Sequence, residues 1–225
     1  MIVTELADKV LYFEDVIEDV ESLVGDIEWA SNAAIPGWTP WSSGDSDHVY
    51  GDLKEIRKYQ LGTIEDEVES RISSKIIETL CSLMVDCIQV YGDHYKISDI
   101  EIKYAQKAVN HKKTIFGINK YLEGVGMGPH IDWNEKNNYV EYVLVIYLND
   151  DYDGGAIRFV EPEVDITVKP KAGSVLMFPA NMPYRHESLV AKNGRKILIT
   201  HHWRGGAQMR RVKHLVEMLR GIKND

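Results

Sequence analysis

The sequence predicts an α+β protein, a core of antiparallel strands in a jelly-roll arrangement backed by N-terminal helices. The first observation is a change of texture near residue 113, where short β-branched and aromatic runs begin to alternate with Gly, Pro, Asn and Asp clusters. Six such runs follow: "TIFGINKYL", "YVEYVLVIYL", "GGAIRFVE", "VDITVKP", "GSVLMFP" and "KILITHHW". The second is the nature of their connections, "NDDYDGG" and "PKAG" among them, which are turns with no helical pattern between strands and so favour an antiparallel sandwich or barrel. The third lies upstream, where Ile64, Val68, Ile72, Ile76, Leu80, Leu83 and Cys87 form one apolar stripe at helical spacing.

Taken in order, residues 10–13, "VLYF", are a short apolar run suited to a strand. Asp15 and Glu18 resemble a capping box, and Ile17, Val20, Val24 and Ile27 then recur at helical steps, so a first helix is expected to begin there. Residues 35–51 mix Pro, Gly and Ser with large aromatics and read as a loop. A second helix is expected from about 63 to 91, and a last one in the tail, where Met209, Val212, Val216 and Leu219 share a face. The chain of 225 residues is expected to be a single domain: 1–110 mainly helical support, 111–205 the jelly-roll core, 206–225 a C-terminal helix.

The 26 basic against 35 acidic side chains give a net charge of −9, which disfavours nucleic acid as a partner. No run of apolar residues is long enough to cross a membrane, and the acidic N-terminus is unlike a signal peptide. Cys81 and Cys87 lie inside the helical stripe and read as reduced core thiols, so a cytoplasmic location is expected.

The chemistry concentrates around "GPHIDWNEKNN". In an extended segment residues i and i+2 point to one side, so His130 and Asp132 can offer an imidazole nitrogen and a carboxylate oxygen to one ion. His186, after "GSVLMFPANMPYR", is placed to supply the third ligand where the sheet returns. Two histidines and a carboxylate, with the remaining positions open, form the facial set associated with non-haem Fe(II) oxygenases. His201 and His202 sit in a strand beside Trp203, so one of them faces the interior, but neither is counted as a ligand. Two aromatic-bearing loops, 38–50 and 133–138, are expected to cover the site.

These stretches, taken together, resemble the 2-oxoglutarate- and Fe(II)-dependent dioxygenases of the prolyl 4-hydroxylase-like type. The resemblance runs through "NKYLEGVGMGPHID", "VLVIYLNDDYDGGAIRF", "VKPKAGSVLMFP" and "HESLVAKNGRK", covering about residues 115–203. It implies a double-stranded β-helix core, Fe(II) held by His130, Asp132 and His186, and 2-oxoglutarate and O2 as cosubstrates, with ascorbate as an accessory reductant. It further implies hydroxylation of an unactivated C–H bond in a peptide, a prolyl residue being the best-known target, or in a small molecule. A cupin-like metal-binding jelly roll without oxygenase chemistry, and an oxygenase acting on a free amino acid, metabolite or nucleobase, are the alternatives.

A buried far carboxylate of the cosubstrate needs a cation, and the resemblance allows Arg195 or Lys196, with hydroxyls from Tyr121 and Tyr147. Only one of the two basic residues can face inward. If Lys196 does, Leu198, Thr200 and His202 share its face; if Arg195 does, Ile197, Ile199 and His201 share it. The first lining is the more polar, which favours Lys196.

Overall fold

The computed structural model describes residues 1–33, 37–40, 56–61, 67–109, 116–133 and 140–204. The expected C-terminal helix lies outside the described residues, as do most of the two expected covering loops. Three helices are described, α1 (Val20–Ala33), α2 (Glu67–His94) and α3 (Asp99–Val109). None of them is long and apolar enough to cross a membrane.

The larger sheet takes its first four strands from the N-terminal half: β1 (Ile2–Ala7), β2 (Val10–Glu14), β3 (Thr39–Pro40) and β4 (Ile56–Leu61). The rest of the chain adds β5 (Phe116–Tyr121), β6 (Met127–His130), β7 (Val140–Tyr147), β8 (Asp153–Gly154) and β9 (Ile157–Phe159). Then come β10 (Thr167–Val168), β11 (Ser174–Pro179), β12 (His186–Ser188), β13 (Ala191–Lys192) and β14 (Lys196–Arg204). The six expected strands are found as β5, β7, β9, β10, β11 and β14. An eight-stranded sheet runs β1-β2-β11-β7-β14-β5-β4-β3, a four-stranded sheet runs β10-β9-β12-β6, and β13 pairs with β8. Every pairing is antiparallel.

The two sheets enclose one apolar layer and the helices cover another. In β7 the unbroken apolar run is explained by burial on both faces. Val143, Val145 and Tyr147 join Tyr12, Tyr121, Leu176, Phe178 and Leu198 between the sheets, with Ile157 and Phe159 opposite. Leu144 and Ile146 point the other way, to pack with Leu11, Ile118, Val175, Ile197 and Ile199 against Ile27, Leu80, Met84, Cys87 and Tyr91 of the helices. Cys81 and Cys87 are both buried free thiols.

The first helix begins later than the capping-box reading placed it. The amides of Val16 and Ile17 both donate to the Gly173 carbonyl, at 3.2 and 3.3 Å, which ties this stretch to the turn before β11 instead of to a helical turn. Asp15 there has a φ of 53°. The cap is Asp19, whose Oδ1 accepts from the Ser22 amide at 3.0 Å. Strand β1 and helix α3 carry no pattern that sequence reading picked up, since β1 is mostly exposed and α3 is rich in charge.

Helix α1 also fixes which side of the sheet is outside. Glu28 on α1 lies 2.7 Å from Lys120 Nζ of β5 and 3.2 Å from Arg195, one residue before β14. Lys120 is further stacked on Trp38, its ammonium 3.9 Å from the ring centroid. Replacing Glu28 by Leu should cost about 3 kcal/mol, because nearly buried Lys120 loses its carboxylate, while the exposed Arg195 contact adds little. Chemical denaturation of the two proteins measures it, and equal stability would show the pair to be dispensable.

Candidate metal and cosubstrate site

His130 closes β6 and His186 opens β12, and the two are direct partners across the smaller sheet. Their rings lie 4.5 Å apart between centroids. Each ring is set by the same local device, Nδ1–H donating to the carbonyl two residues back: Gly128 at 2.9 Å for His130 and Tyr184 at 3.1 Å for His186. A carbonyl can only accept, so both Nε2 atoms carry the lone pair that a metal needs.

Asp132 lies in the bend just past the end of β6, where the Trp133 amide donates to Ala180 O at 3.0 Å and fixes the chain. Its Oδ2 is 3.6 Å from His186 Nε2, is buried, and has no hydrogen-bond partner. Ligand atoms of His130, Asp132 and His186 all fall within 4.8 Å of one another. An orphaned carboxylate oxygen facing two imidazole lone pairs is the donor set that a divalent ion fits.

The surroundings hold His186 neutral and Asp132 ionised. Burial pushes the His186 imidazole down to about 4, against the opposing pull of Asp132. Phe178 and Phe159 form the dry wall beside it, at 4.8 and 5.8 Å. Burial alone would raise the Asp132 carboxyl, but the hydrogen bond with His202 and the neighbouring imidazoles outweigh it and hold the group at about 2.

Lys196 points between the sheets and Arg195 points out to Glu28. Lys196 is 1% exposed, an unusual place for an ammonium. Its Nζ donates to Ser188 Oγ and to Gly155 O at 3.3 Å, and lies 4.4 Å from the Tyr121 ring centroid. No carboxylate pairs with it among the described residues, and burial, with a smaller push from Lys169, lowers it to about 7. Gly155, which supplies that carbonyl, has a φ of 61°, and a Cβ there would collide with the Tyr152 ring.

Tyr121 lies opposite Lys196 and Tyr147 opposite Leu198 in the strand pairings of β14. Both are buried in the inner layer, and burial pushes both phenols up. Among the described residues the Tyr121 hydroxyl reaches Met127 Sδ, at 3.9 Å. Sequence reading had not found Ser188 and Gly155 as neighbours of Lys196, nor the contact of His202 with Asp132; strand alternation from Lys196 is the signal that puts His202 on the inner face.

Residues 116–204 match the 2OG-Fe(II) oxygenase superfamily. No curated protein matches the sequence. Among solved structures the chain is similar to a Pseudomonas putida prolyl-4-hydroxylase, with 16% identity, TM-score 0.57, and coverage of 88% of this chain and 92% of that one. It is also similar to a Trichoplax adhaerens prolyl hydroxylase in complex with a hypoxia-inducible-factor oxygen degradation domain peptide fragment, with 13% identity, TM-score 0.62, and 91% and 86% coverage. A third is the viral collagen prolyl hydroxylase of Paramecium Bursaria Chlorella virus-1 in its 2OG complex, with 14% identity, TM-score 0.54, and 89% and 99% coverage. These likenesses establish the fold, a double-stranded β-helix.

His130→Ala, Asp132→Ala and His186→Ala should each weaken Fe(II) or Co(II) binding by more than the roughly 10–100-fold typical of losing a supporting partner, with the fold retained. Anaerobic metal titration reads this, and undiminished affinity in any one variant removes that residue from the set.

Proposed function

We propose that this chain is a 2OG-Fe(II) oxygenase, as the match over residues 116–204 supports, and that it hydroxylates an unactivated C–H bond of a prolyl residue in a peptide, with His130, Asp132 and His186 holding Fe(II) and Lys196 anchoring 2-oxoglutarate. The observation that carries the cosubstrate reading is the buried, acid-free ammonium of Lys196. A buried cation is costly without an anion, and a dicarboxylate whose far end reaches Lys196 removes that cost.

Bound iron supplies O2 activation coupled to oxidative decarboxylation of the keto acid. The protein's own groups orient and desolvate. Lys196 and Ser188 receive the far carboxylate, and Tyr121 and Tyr147, paired with Lys196 and Leu198 across the strands, supply it with hydroxyl donors. Phe159 and Phe178 exclude water from the His186 side.

The peptide part of the reading is supported by the prolyl hydroxylases among the similar structures and by the rim of the site. Trp133, beside Asp132, is 37% exposed, and Met182, on the segment leading to His186, is 53% exposed. An uncharged ring carried on a chain suits such a rim. Aerobic incubation with proline-containing peptides and with free proline, followed by mass spectrometry for the gain of one oxygen atom, tests it. Hydroxylation of the peptides alone is the expected result, and a product from the free amino acid alone would move the substrate class.

Lys196→Met should weaken 2-oxoglutarate binding by roughly 2–5 kcal/mol, about thirty- to several-thousand-fold, whereas Arg195→Met should change it little. The lysine's folded pKa lies below its unfolded value, so the unfolded chain binds the extra proton between about pH 7 and 10.5 and cosubstrate-free stability rises with pH across that window. Below it the buried charge is a cost, so the Met variant should be the more stable cosubstrate-free protein at about pH 6. An anion beside Lys196 raises its pKa again. Cosubstrate binding at about pH 8 should therefore take up close to one proton, and at about pH 6 none. Calorimetry in buffers of different ionisation enthalpy measures that difference, and equal uptake at both values would remove Lys196 from the anchor role.

A further inference from the structure

The two oxygens of Asp132 stand in different environments. Oδ2 is the orphan that faces His186, while Oδ1 lies 3.3 Å from His202 Nε2. His202 comes from β14, on the inward face that also carries Lys196, Leu198 and Thr200, and is paired with Val143 of β7. Asp132 itself sits in a bend with no strand partner. Its backbone is fixed by Trp133, but its side chain has no hydrogen bond other than the one with His202 among the described residues.

We infer that His202 is a positioning residue for the metal carboxylate: its Nε2–H donates to Asp132 Oδ1 and so leaves Oδ2 as the single oxygen offered to the ion. The inference rests on the metal-site reading of His130, Asp132 and His186. A carboxylate has two equivalent oxygens, and a free one can turn both toward a cation. The second would take a position that a chelating keto acid and O2 require to be open. A donor on one oxygen prevents the turn. Because β14 also carries Lys196, one strand then sets both ends of the site, the carboxylate at one end and the cosubstrate anchor at the other.

The tautomer this requires is the opposite of that of the two ligand histidines. They donate through Nδ1 to carbonyls and keep Nε2 unprotonated. His202 must carry its proton on Nε2, since an ionised carboxylate only accepts. Its side chain is 38% exposed, so Nδ1 can be satisfied by solvent.

His202→Leu removes the donor at similar volume, and His202→Gln keeps an N–H at comparable reach. Anaerobic titration of the full chain with Co(II), read by its visible absorption, needs no substrate and no turnover. The leucine variant should bind Co(II) about 10–100-fold more weakly with an altered band shape, at unchanged far-UV circular dichroism, and the glutamine variant should recover both to near the wild-type values. Wild-type affinity and spectrum in the leucine variant would overturn the inference. So would a glutamine variant as weak as leucine, which would make His202 a ligand or a packing group instead of a donor. A wild-type chain that binds no Co(II) would overturn the metal-site reading and this inference together. Wild-type Co(II) binding whose spectrum does not respond to 2-oxoglutarate would overturn only the cosubstrate reading.

Discussion

A slip of one residue in the register of β14 would exchange every inward for every outward side chain of the strand, and most of what the site contains would go with it. Lys196, Leu198, Thr200 and His202 would leave the space between the sheets, and Arg195, Ile197, Ile199 and His201 would enter it. Three restraints hold the register. Across the sheet β14 is locked between β5 and β7. On its outer face Ile197, Ile199 and Trp203 are buried against the helices. At its start Arg195 and Lys120 converge on Glu28 of α1, outside the barrel, so the charges of this region are sorted by side before any ligand is considered.

Seen from that strand, the helical layer is part of the site's construction. The inner face of the larger sheet can afford a buried ammonium and a set of tyrosines because the outer face is almost wholly apolar and supplies the cohesion. Fully burying a side chain such as Ile199 or Phe178 stabilises the fold by roughly 1.5–3 kcal/mol, and many such residues flank each polar one. The cost of the buried Lys196 is thus spread over a core that tolerates it. An anion placed beside that ammonium would offset the cost.

The sequence made legible whatever depended on local periodicity. Apolar and β-branched runs bounded by turn residues located the strands, and two-residue alternation along β14 placed Lys196 and His202 on one face. The stripe through Ile76, Leu80, Leu83 and Cys87 located α2 and its buried side. Tertiary contacts defeated the rest. The start of α1 moved because Gly173, far along the chain, claims the amides of Val16 and Ile17. Strand β1 gave no alternation because four of its six residues are exposed. His130 and Asp132 share a site as their spacing suggests, but Asp132 does so from a bend beyond the strand end. Its contact with His202 joins residues 70 apart, which no local pattern records.

The sheet has one more effect, on sulfur. Cys87 and Cys81 lie with the helices on the far side of the larger sheet from the His-Asp-His cluster, and burial drives the Cys87 thiol up to about 12. At neutral pH almost none of it is thiolate, the form that oxidants and alkylating agents attack. The thioethers are placed differently. Met127 lies three residues before His130 in the same strand, and Met182 stands exposed on the segment that leads to His186. Of these sulfurs the one most open to solvent is therefore a thioether, Met182, while the thiols are buried. Thioether oxidation yields a reducible sulfoxide, whereas a cysteine can pass on to irreversible acids, so the sulfurs whose damage is hardest to repair are the ones that burial protects.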